Sequence, residues 1–320
     1  MLTLDAIGIE DVRHARERIR GSIVRTPLVR LNVDDAPAEI YLKLENLQPI
    51  GSFKLRGAGN AMAMASREGL AKGVYTASAG NMAQGVAWTA RLLGIPCTVI
   101  VPEHAPQTKV AAIQRLSGEI IKVPFDVWFQ ALLDRRYPGL DGLFIHPVSD
   151  PGVIAGNGTI GLEILEDLPD VSAVVVPFGG GGLSCGIAFA LRALKADTKI
   201  YACEVSTAAP FSASLAAGSP RPAEYRPSFV DGIGAKGMLP EMWPIASRLL
   251  DGSLVAPLDE VAATVRLLVE RNRTVAEGAG ATPVAAALSG RAGGGKIVCV
   301  VSGGNIDSHT LANILRGEQP

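Results

Sequence analysis

The sequence predicts a protein of the α/β class. Short apolar runs rich in β-branched residues alternate along the 320 residues with longer stretches that have helical periodicity, and this alternation is typical of parallel βα units. Two runs, "AVVVP" from Ala173 and "IVCVVS" from Ile297, are almost continuously apolar, as in strands that helices cover on both faces. A chain of this length can bury a large core, as two domains or as one large α/β domain.

The predicted strands are apolar runs of four to six residues. They are Tyr41–Glu45, Val74–Ser78, Cys97–Val101, Glu119–Val123, Leu143–His146, Ala173–Pro177, Lys199–Glu204 and Ile297–Ser302. Between them, "NMAQGVAWTARLLG", "PQTKVAAIQRLSG" and "GLSCGIAFALRALK" have helical spacing and close on Gly or Lys, which favours helix ends there. Because open α/β sheets bind ligands beyond the carboxyl ends of their strands, the strand-to-helix junctions are the expected ligand sites.

The composition narrows the choice of partner. Thirty basic residues balance thirty-one acidic ones, so no electrostatic footprint for nucleic acid or an anionic membrane is present. The N-terminal stretch mixes acids and bases, unlike a signal peptide, and no apolar run is long enough to span a bilayer. We therefore expect a cytoplasmic protein with a small-molecule partner. The four cysteines, Cys97, Cys185, Cys203 and Cys299, lack metal-site spacing and are predicted to be reduced core thiols.

The stretch "VVVPFGGGGLSCG" carries the strongest ligand signal. A buried strand runs into four consecutive glycines, Gly179 to Gly182, and then directly into a helix. Without Cβ atoms, backbone N–H groups can converge on an anion beside the positive end of the helix dipole. The spacing matches neither the dinucleotide fingerprint nor a Walker loop. We predict a phosphate-binding turn, against the alternative of a tight turn without a ligand.

Two other junctions carry weaker signals. "TASAGNMAQG", Thr76 to Gly85, offers a serine, an asparagine and free backbone donors at a helix start, where a carboxylate can bind, although serine and asparagine are also ordinary N-caps. "VCVVSGGNIDSH" places Ser302 at the end of a buried strand. Its hydroxyl either meets a ligand or caps the helix that starts near Asp307.

Lys54 stands out in "GSFKLRGAG", Gly51 to Gly59. Ser52 can cap a helix that runs through Ala65, which places Lys54 in the first turn near the positive end of the dipole. That position disfavours a cation and, together with burial, should lower the pKa of a lysine toward an amine that acts as nucleophile or base. The alternative is a solvated surface lysine, which is what most lysines are.

Taken together and in this order, these stretches resemble the fold-type II pyridoxal-phosphate enzymes, and within them the threonine/serine dehydratase and serine racemase family. The family segment K-x-E-x-x-Q-x-x-x-S-F-K-x-R-G-A is matched by Lys43, Glu45, Gln48, Ser52, Phe53, Lys54, Arg56, Gly57 and Ala58. Further matches are S-A-G-N-x-A-Q-G at residues 78–85, "AGNGTIGLEIL" at 155–165, the four glycines, and S-G-G-N at 302–305. The resemblance covers nearly the whole chain.

The resemblance implies a fold as well as a cofactor. The family has two open, twisted, mainly parallel sheets flanked by helices, as in the β subunit of tryptophan synthase. A large cofactor-binding domain would comprise residues 1–72 and 149–320, with a small mobile domain, residues 73–148, inserted in it. Pyridoxal 5'-phosphate would lie between them, and a homodimer is expected from the family alone.

Site residues follow from the resemblance position by position. Lys54 would bind the cofactor as a Schiff base and, as a free amine, remove the α-proton of the substrate. Ser302 would hydrogen-bond the pyridine nitrogen, a neutral partner that does not force protonation of the ring. The other implied cofactor-binding residues are Phe53, Asn81, Gly179, Gly180, Gly181, Gly182, Leu183 and Glu277. The implied substrate-binding residues are Ser78, Ala79, Gly80, Asn81 and Met82.

The implied reaction is β-elimination from a β-hydroxy amino acid such as L-threonine or L-serine, giving a 2-oxo acid and ammonia. Alternatives in the same chemistry are dehydration of 3-hydroxyaspartate, of a phenylserine or of an amino acid derived from hydroxyectoine. Racemisation of serine and a cysteine-synthase-like β-replacement rank lower. From another class, a phosphometabolite-binding protein would need the glycine turn but no buried amine.

Several positions depart from the family pattern. Ala79 stands where serine racemase has a serine that acts as the second acid/base, which favours elimination over racemisation. Met82 replaces a usual histidine, so the preferred substrate is open, and Trp128 and Phe129 belong to a segment unusually aromatic for this family.

A divalent cation site is doubtful. In members that have one, a strand-end glutamate is followed by a backbone carbonyl and an acid. Here Glu204 and Ala208 match these positions, but Pro210 replaces the acid, and a hard cation loses affinity with each missing anionic oxygen. We therefore predict no metal ligands.

Overall fold

The computed structural model describes residues 4–318, in which helices and strands alternate as predicted. The ten strands of these residues are β1 (Leu28–Arg30), β2 (Glu39–Lys43), β3 (Val74–Ala77), β4 (Cys97–Pro102), β5 (Glu119–Val123), β6 (Leu143–Phe144), β7 (Ala173–Pro177), β8 (Lys199–Val205), β9 (Gly252–Ala256) and β10 (Lys296–Val300).

Helices fill most of the sequence between the strands. They are α1 (Ile9–Ile19), α2 (Lys54–Ala63), α3 (Arg67–Ala71), α4 (Asn81–Leu93), α5 (Gln107–Arg115), α6 (Phe125–Asp134), α7 (Pro151–Asp167), α8 (Gly182–Leu194), α9 (Pro210–Ala217), α10 (Trp243–Leu249), α11 (Leu258–Asn272), α12 (Gly278–Leu288) and α13 (Ser308–Arg316). Short 3₁₀ turns lie at Leu4–Ala6, Glu45–Leu47, Asp231–Ile233 and Pro240–Met242.

The strands form two sheets, as the family resemblance implies. The larger has the order β1-β2-β10-β7-β8-β9, and the smaller has the order β5-β4-β3-β6. Every pairing is parallel except that of β1 with β2. Strands β7 and β10 are adjacent at the centre of the larger sheet, and β7 is buried along its whole length. Their continuous apolar sequences therefore reflect cover on both faces.

All eight predicted strands are present, and two observed strands were not predicted. Both lie at the edges of the larger sheet. Strand β1 has only three residues, fewer than a periodicity signal needs, and β9 begins at Gly252 after a turn. Strand β6 is shorter than predicted, because the ring of His146 accepts the backbone N–H groups of Val148 (3.1 Å) and Ser149 (2.9 Å) and holds the chain in a turn.

A buried cluster of charges fixes the position of α2. Arg56 donates to Glu45 (2.8 Å) and to Glu163 on α7 (2.7 Å), and Lys43 on β2 also donates to Glu163 (2.6 Å). These side chains are at most 5% exposed. Two cations thus neutralise two carboxylates, which is the arrangement that buried charges require. Three of the nine motif residues around Lys54 therefore anchor its helix rather than contact a ligand.

The structure agrees with the prediction that the cysteines are reduced core thiols. All four cysteines of the described chain are buried free thiols, and burial raises the pKa of the Cys97 thiol to about 12. Among the helices of residues 4–318, none combines the length and the hydrophobicity that crossing a bilayer requires.

Candidate active site

A cleft of about 390 Å³ lies at the carboxyl ends of strands from both sheets, and every predicted site residue lines it. These residues are Phe53, Lys54, Ser78, Ala79, Gly80, Asn81, Met82, Gly179, Gly180, Gly181, Gly182, Leu183, Glu277 and Ser302. The fold thus brings together segments that are more than two hundred positions apart in the sequence. This location is where open α/β sheets bind their ligands.

Lys54 is the first residue of α2, half-buried in the cleft. The prediction that Ser52 caps this helix is wrong, because the N-cap is Phe53 and the Ser52 hydroxyl accepts the backbone N–H of Lys54 only over a long 3.4 Å. The Nζ atom donates to the carbonyl of Pro147 at 2.6 Å and lies 5.3 Å from the centre of the Phe53 ring. Helix α2 ends at Ala63, two residues before the predicted end.

The electrostatic surroundings favour loss of a proton from Lys54. Burial lowers the pKa of its amine to about 8, while the charge of Glu277 opposes this shift. Burial also raises the pKa of Glu277 to about 7, helped by the nearby charge of Asp231. Both groups therefore titrate close to neutral pH, as acid and base residues of active sites commonly do. An amine at this position can act as nucleophile or base.

The four glycines form a cup between the end of β7 and the start of α8. Gly181 has a φ of +91°, a left-handed conformation that other residues rarely adopt. A Cβ atom at Gly180 would lie 2.6 Å from Cγ1 of Val148, and one at Gly182 would lie 2.6 Å from the Val148 carbonyl oxygen. Glycine is thus required because the turn after β6 packs directly on the cup, beside the helix N-terminus that favours an anion.

The loop from Ser78 to Met82 lies at the start of α4. The Nδ2 atom of Asn81 donates to Glu277 at 2.8 Å, and its Oδ1 accepts from Asn305 at 2.7 Å. Two side chains from beyond α11 therefore orient Asn81. Met82 is only 1% exposed and packs in the core beside the smaller sheet, so its side chain contributes little open surface to the cleft.

Ser302 follows β10 and is 3% exposed. Its carbonyl accepts the N–H of Phe53 at 3.0 Å, which ties the end of β10 to the start of α2. Asp307 caps α13, accepting from His309 and Thr310. The structure thus removes one of the two interpretations of Ser302, because Asp307 caps that helix, and Ser302 is among the residues that line the cleft.

These residues fit pyridoxal phosphate. The cup that a Cβ atom would fill suits a phosphate, and an amine of lowered pKa suits an aldehyde. Ser302 offers the cleft a neutral hydroxyl. The cleft thus presents the groups that the cofactor needs.

Glu204 is already fully engaged by the protein. Its oxygens accept the backbone N–H groups of Phe211 and Ser212, each at 2.8 Å, and the hydroxyl of Ser253 at 2.7 Å. The carboxylate therefore caps α9, which begins at Pro210. In the part of the chain from 4 to 318, no group of three or more His, Cys, Asp or Glu side chains is arranged to hold a metal ion.

The sequence did not single out several residues that line the cleft. Pro147 and Val148 follow β6, His104 follows β4, and Phe125 follows β5, while Asp231 lies in the irregular segment between α9 and α10. Three of these segments stand at the carboxyl ends of predicted strands. Strand ends alone therefore would have pointed to them, and Phe125 also belongs to the unusually aromatic segment that contains Trp128.

Comparison with known proteins agrees with this geometry. A family model described as pyridoxal-phosphate dependent enzyme matches residues 19–303. An L-threonine ammonia-lyase of Thermotoga maritima is 40% identical over 314 residues, covering 97% of this chain and 78% of that protein.

Two further relatives match over nearly the full length of both this chain and their own. The L-threonine dehydratase catabolic TdcB of Escherichia coli is 36% identical over 96% of both chains. The structure of maize serine racemase superimposes with a TM-score of 0.86 at 32% identity, covering 98% of both chains. The protein is therefore a member of the pyridoxal-phosphate-dependent enzyme family, with fold type II architecture and the cofactor of that family.

Proposed function

We propose that the protein is an ammonia-lyase that converts a β-hydroxy amino acid, with L-threonine and L-serine as the reference substrates, to a 2-oxo acid and ammonia. The observation that carries the proposal is the half-buried amine of Lys54, which lines the same cleft as the glycine cup and has a pKa lowered to about 8. The relatives named for threonine ammonia-lyase and threonine dehydratase activity support the choice of substrate.

Each part of the cleft has a distinct task in this proposal. When bound, pyridoxal phosphate supplies the electron sink for negative charge at the α-carbon of the substrate. Lys54 holds the cofactor and then takes the α-proton at Nζ. The glycines from 179 to 182 and Leu183 hold the phosphate, and Ser302 meets the ring nitrogen. The loop from Ser78 to Met82 receives the substrate carboxylate at the N-terminus of α4.

Glu277 acts on two other residues of the cleft, Asn81 and Lys54. Asn81 is held by Glu277 and Asn305 at hydrogen-bond distances of 2.8 and 2.7 Å, which fixes its amide in the wall of the cleft, from where it would bind the cofactor. The charge of Glu277 also keeps the amine of Lys54 from losing its proton too readily. Glu277 therefore has two roles: it holds Asn81 through a hydrogen bond, and its charge raises the pKa of Lys54.

Ala79 favours elimination over racemisation. Racemisation needs an acid/base group on each face of the α-carbon, and a methyl side chain has no proton to exchange. Lys54 supplies a group on one face only. The similarity to maize serine racemase at 32% identity therefore reflects the fold and the cofactor rather than a second exchangeable proton.

We also propose the larger organisation of the protein. Residues 73–148 would form a small mobile domain inserted in a large domain of residues 1–72 and 149–320, and the protein would be a cytoplasmic homodimer. The ion pair of Lys109 with Asp231, which joins α5 to the 3₁₀ turn at the cleft, supports closure of the small domain over the substrate. Closure would exclude water from the elimination.

The test is release of 2-oxo acid from L-threonine and L-serine by the holoenzyme. Lys54→Ala should abolish both the yellow colour and the activity, whereas Lys72→Ala, which alters a lysine 67% exposed, should leave both unchanged. Purified protein that takes up no pyridoxal phosphate, or a Lys54→Ala variant that still releases 2-oxo acid, would contradict the proposal.

A further inference from the structure

The strand order of the smaller sheet extends the cleft beyond the loop that receives the carboxylate. In the order β5-β4-β3-β6, the segments that follow the strands stand side by side along one edge. The carboxylate loop follows β3, while His104 follows β4 and Phe125 follows β5. Because neighbouring strands lie about 4.8 Å apart, the segment after β5 stands on the order of 10 Å from the carboxylate loop.

The opposite side of the carboxylate loop is closed. The carbonyl oxygen of Pro147, which follows β6, accepts a hydrogen bond from the Lys54 amine at 2.6 Å. Val148 packs against the glycine cup, with its side chain facing Gly180. A substrate whose α-carbon lies at Lys54 and whose carboxylate lies at the start of α4 therefore has no open space toward β6, whereas the cleft continues toward the segments after β4 and β5.

The open side is aromatic. The rings of His104 and Phe125 are 6.3 Å apart and nearly parallel at 28°, and Phe125 lies 5.5 Å from Trp128. All three line the cleft. Phe125 also lies 6.2 Å from Phe129, with the two rings parallel to within 4°, yet it is 45% exposed, so this aromatic cluster in the cleft wall leaves apolar surface uncovered. Burial of such a surface by a ligand is favourable.

We propose that His104, Phe125 and Trp128 form a specificity subsite for a β-substituent larger than the methyl group of threonine, with a flat apolar portion that packs against Phe125. The subsite rests on the proposed function, because it is the side-chain end of the same elimination site. The preferred substrates are β-hydroxy amino acids with such a substituent. Aromatic rings and other flat groups can pack face to face with an offset, or edge to face, against such rings.

The experiment compares kcat/KM for L-threonine and L-threo-3-phenylserine, measured as release of 2-oxo acid by the holoenzyme. The proposal expects the wild type to favour phenylserine. Phe125→Ala should lower kcat/KM for phenylserine about tenfold or more, as loss of pocket contacts does, with little change for threonine. Leu133→Ala is the matched control, because Leu133 lies on the same helix, is 46% exposed and does not line the cleft.

The outcomes separate this subsite from the function itself. Release of 2-oxo acid from neither substrate overturns the proposed function, and the subsite with it. Turnover of threonine with none of phenylserine, or an equal effect of Phe125→Ala and Leu133→Ala on the phenylserine-to-threonine ratio, overturns the subsite alone. A fall in that ratio confined to Phe125→Ala supports it.

Discussion

Substitution of Gly180 by alanine should weaken cofactor binding through a single steric contact. The added Cβ would lie 2.6 Å from Cγ1 and 2.7 Å from Cγ2 of Val148. Since carbon atoms pack at about 3.5 Å, the two groups must separate by about 0.9 Å. Overpacking of this kind typically costs about 1–3 kcal/mol. Because the cup must widen to relieve the contact, we expect the cost to appear in affinity for pyridoxal phosphate, as roughly a 5- to 150-fold higher Kd.

A second substitution, at Val148, should restore the cofactor affinity that Gly180→Ala loses. Val148→Ala removes both Cγ atoms and leaves the Val148 Cβ at 3.2 Å from the new methyl group, so the Gly180→Ala/Val148→Ala double variant should recover most of the lost affinity. Gly182→Ala is the matched control, because its Cβ would lie 2.6 Å from the Val148 carbonyl oxygen. That oxygen belongs to the backbone and remains in Val148→Ala, so no rescue is expected.

The assay is equilibrium titration of each apoenzyme with pyridoxal phosphate, followed by absorbance and checked by equilibrium dialysis. The four Kd values of the Gly180/Val148 cycle give the coupling energy directly. Wild-type affinity in Gly180→Ala, or equal rescue of Gly180→Ala and Gly182→Ala by Val148→Ala, would show that Val148 does not shape the cup.

Three further predictions concern charges. The rate at which apoenzyme captures pyridoxal phosphate should rise with pH through about 8. In the proposed function Lys54 binds the aldehyde, which only an unprotonated amine can do, and the pKa of Lys54 is lowered to about 8. Stopped-flow absorbance measures this rate, and a flat profile contradicts the prediction. Glu277→Gln should move the midpoint of this pH profile to lower pH, because the charge of Glu277 raises the pKa of Lys54 in the wild type. A shift of the midpoint to higher pH would refute this electrostatic coupling between Glu277 and Lys54. Arg56→Met should cost about 3–5 kcal/mol in urea unfolding because buried carboxylates lose their partner, whereas Arg266→Met, at an exposed pair, should change stability by less than about 0.5 kcal/mol; equal losses would contradict the role of the buried cluster.

The motif around Lys54 shows which contacts a local sequence pattern can predict and which it cannot. The resemblance predicted the reactive lysine but gave no role to Lys43, Glu45 and Arg56, which form a buried charge cluster with Glu163. Glu163 lies 107 positions after Arg56. No local pattern can pair residues so far apart, because the pairing depends on how α7 packs against α2. The cluster is therefore a property of the tertiary structure, although the motif names three of its members.

The sequence by itself determined the α/β class, eight of the ten described strands and the four-glycine turn, because periodicity and turn chemistry act over a few neighbouring residues. Its motifs predicted Lys54 as the reactive lysine through the family resemblance. The tertiary structure decided what surrounds them. It set the Pro147 carbonyl against Lys54 across 93 positions, packed Val148 on the cup, and aligned His104 and Phe125 beyond the carboxylate loop. These contacts follow from the order of strands in the sheets, which is settled by packing of the whole chain rather than by any segment of it.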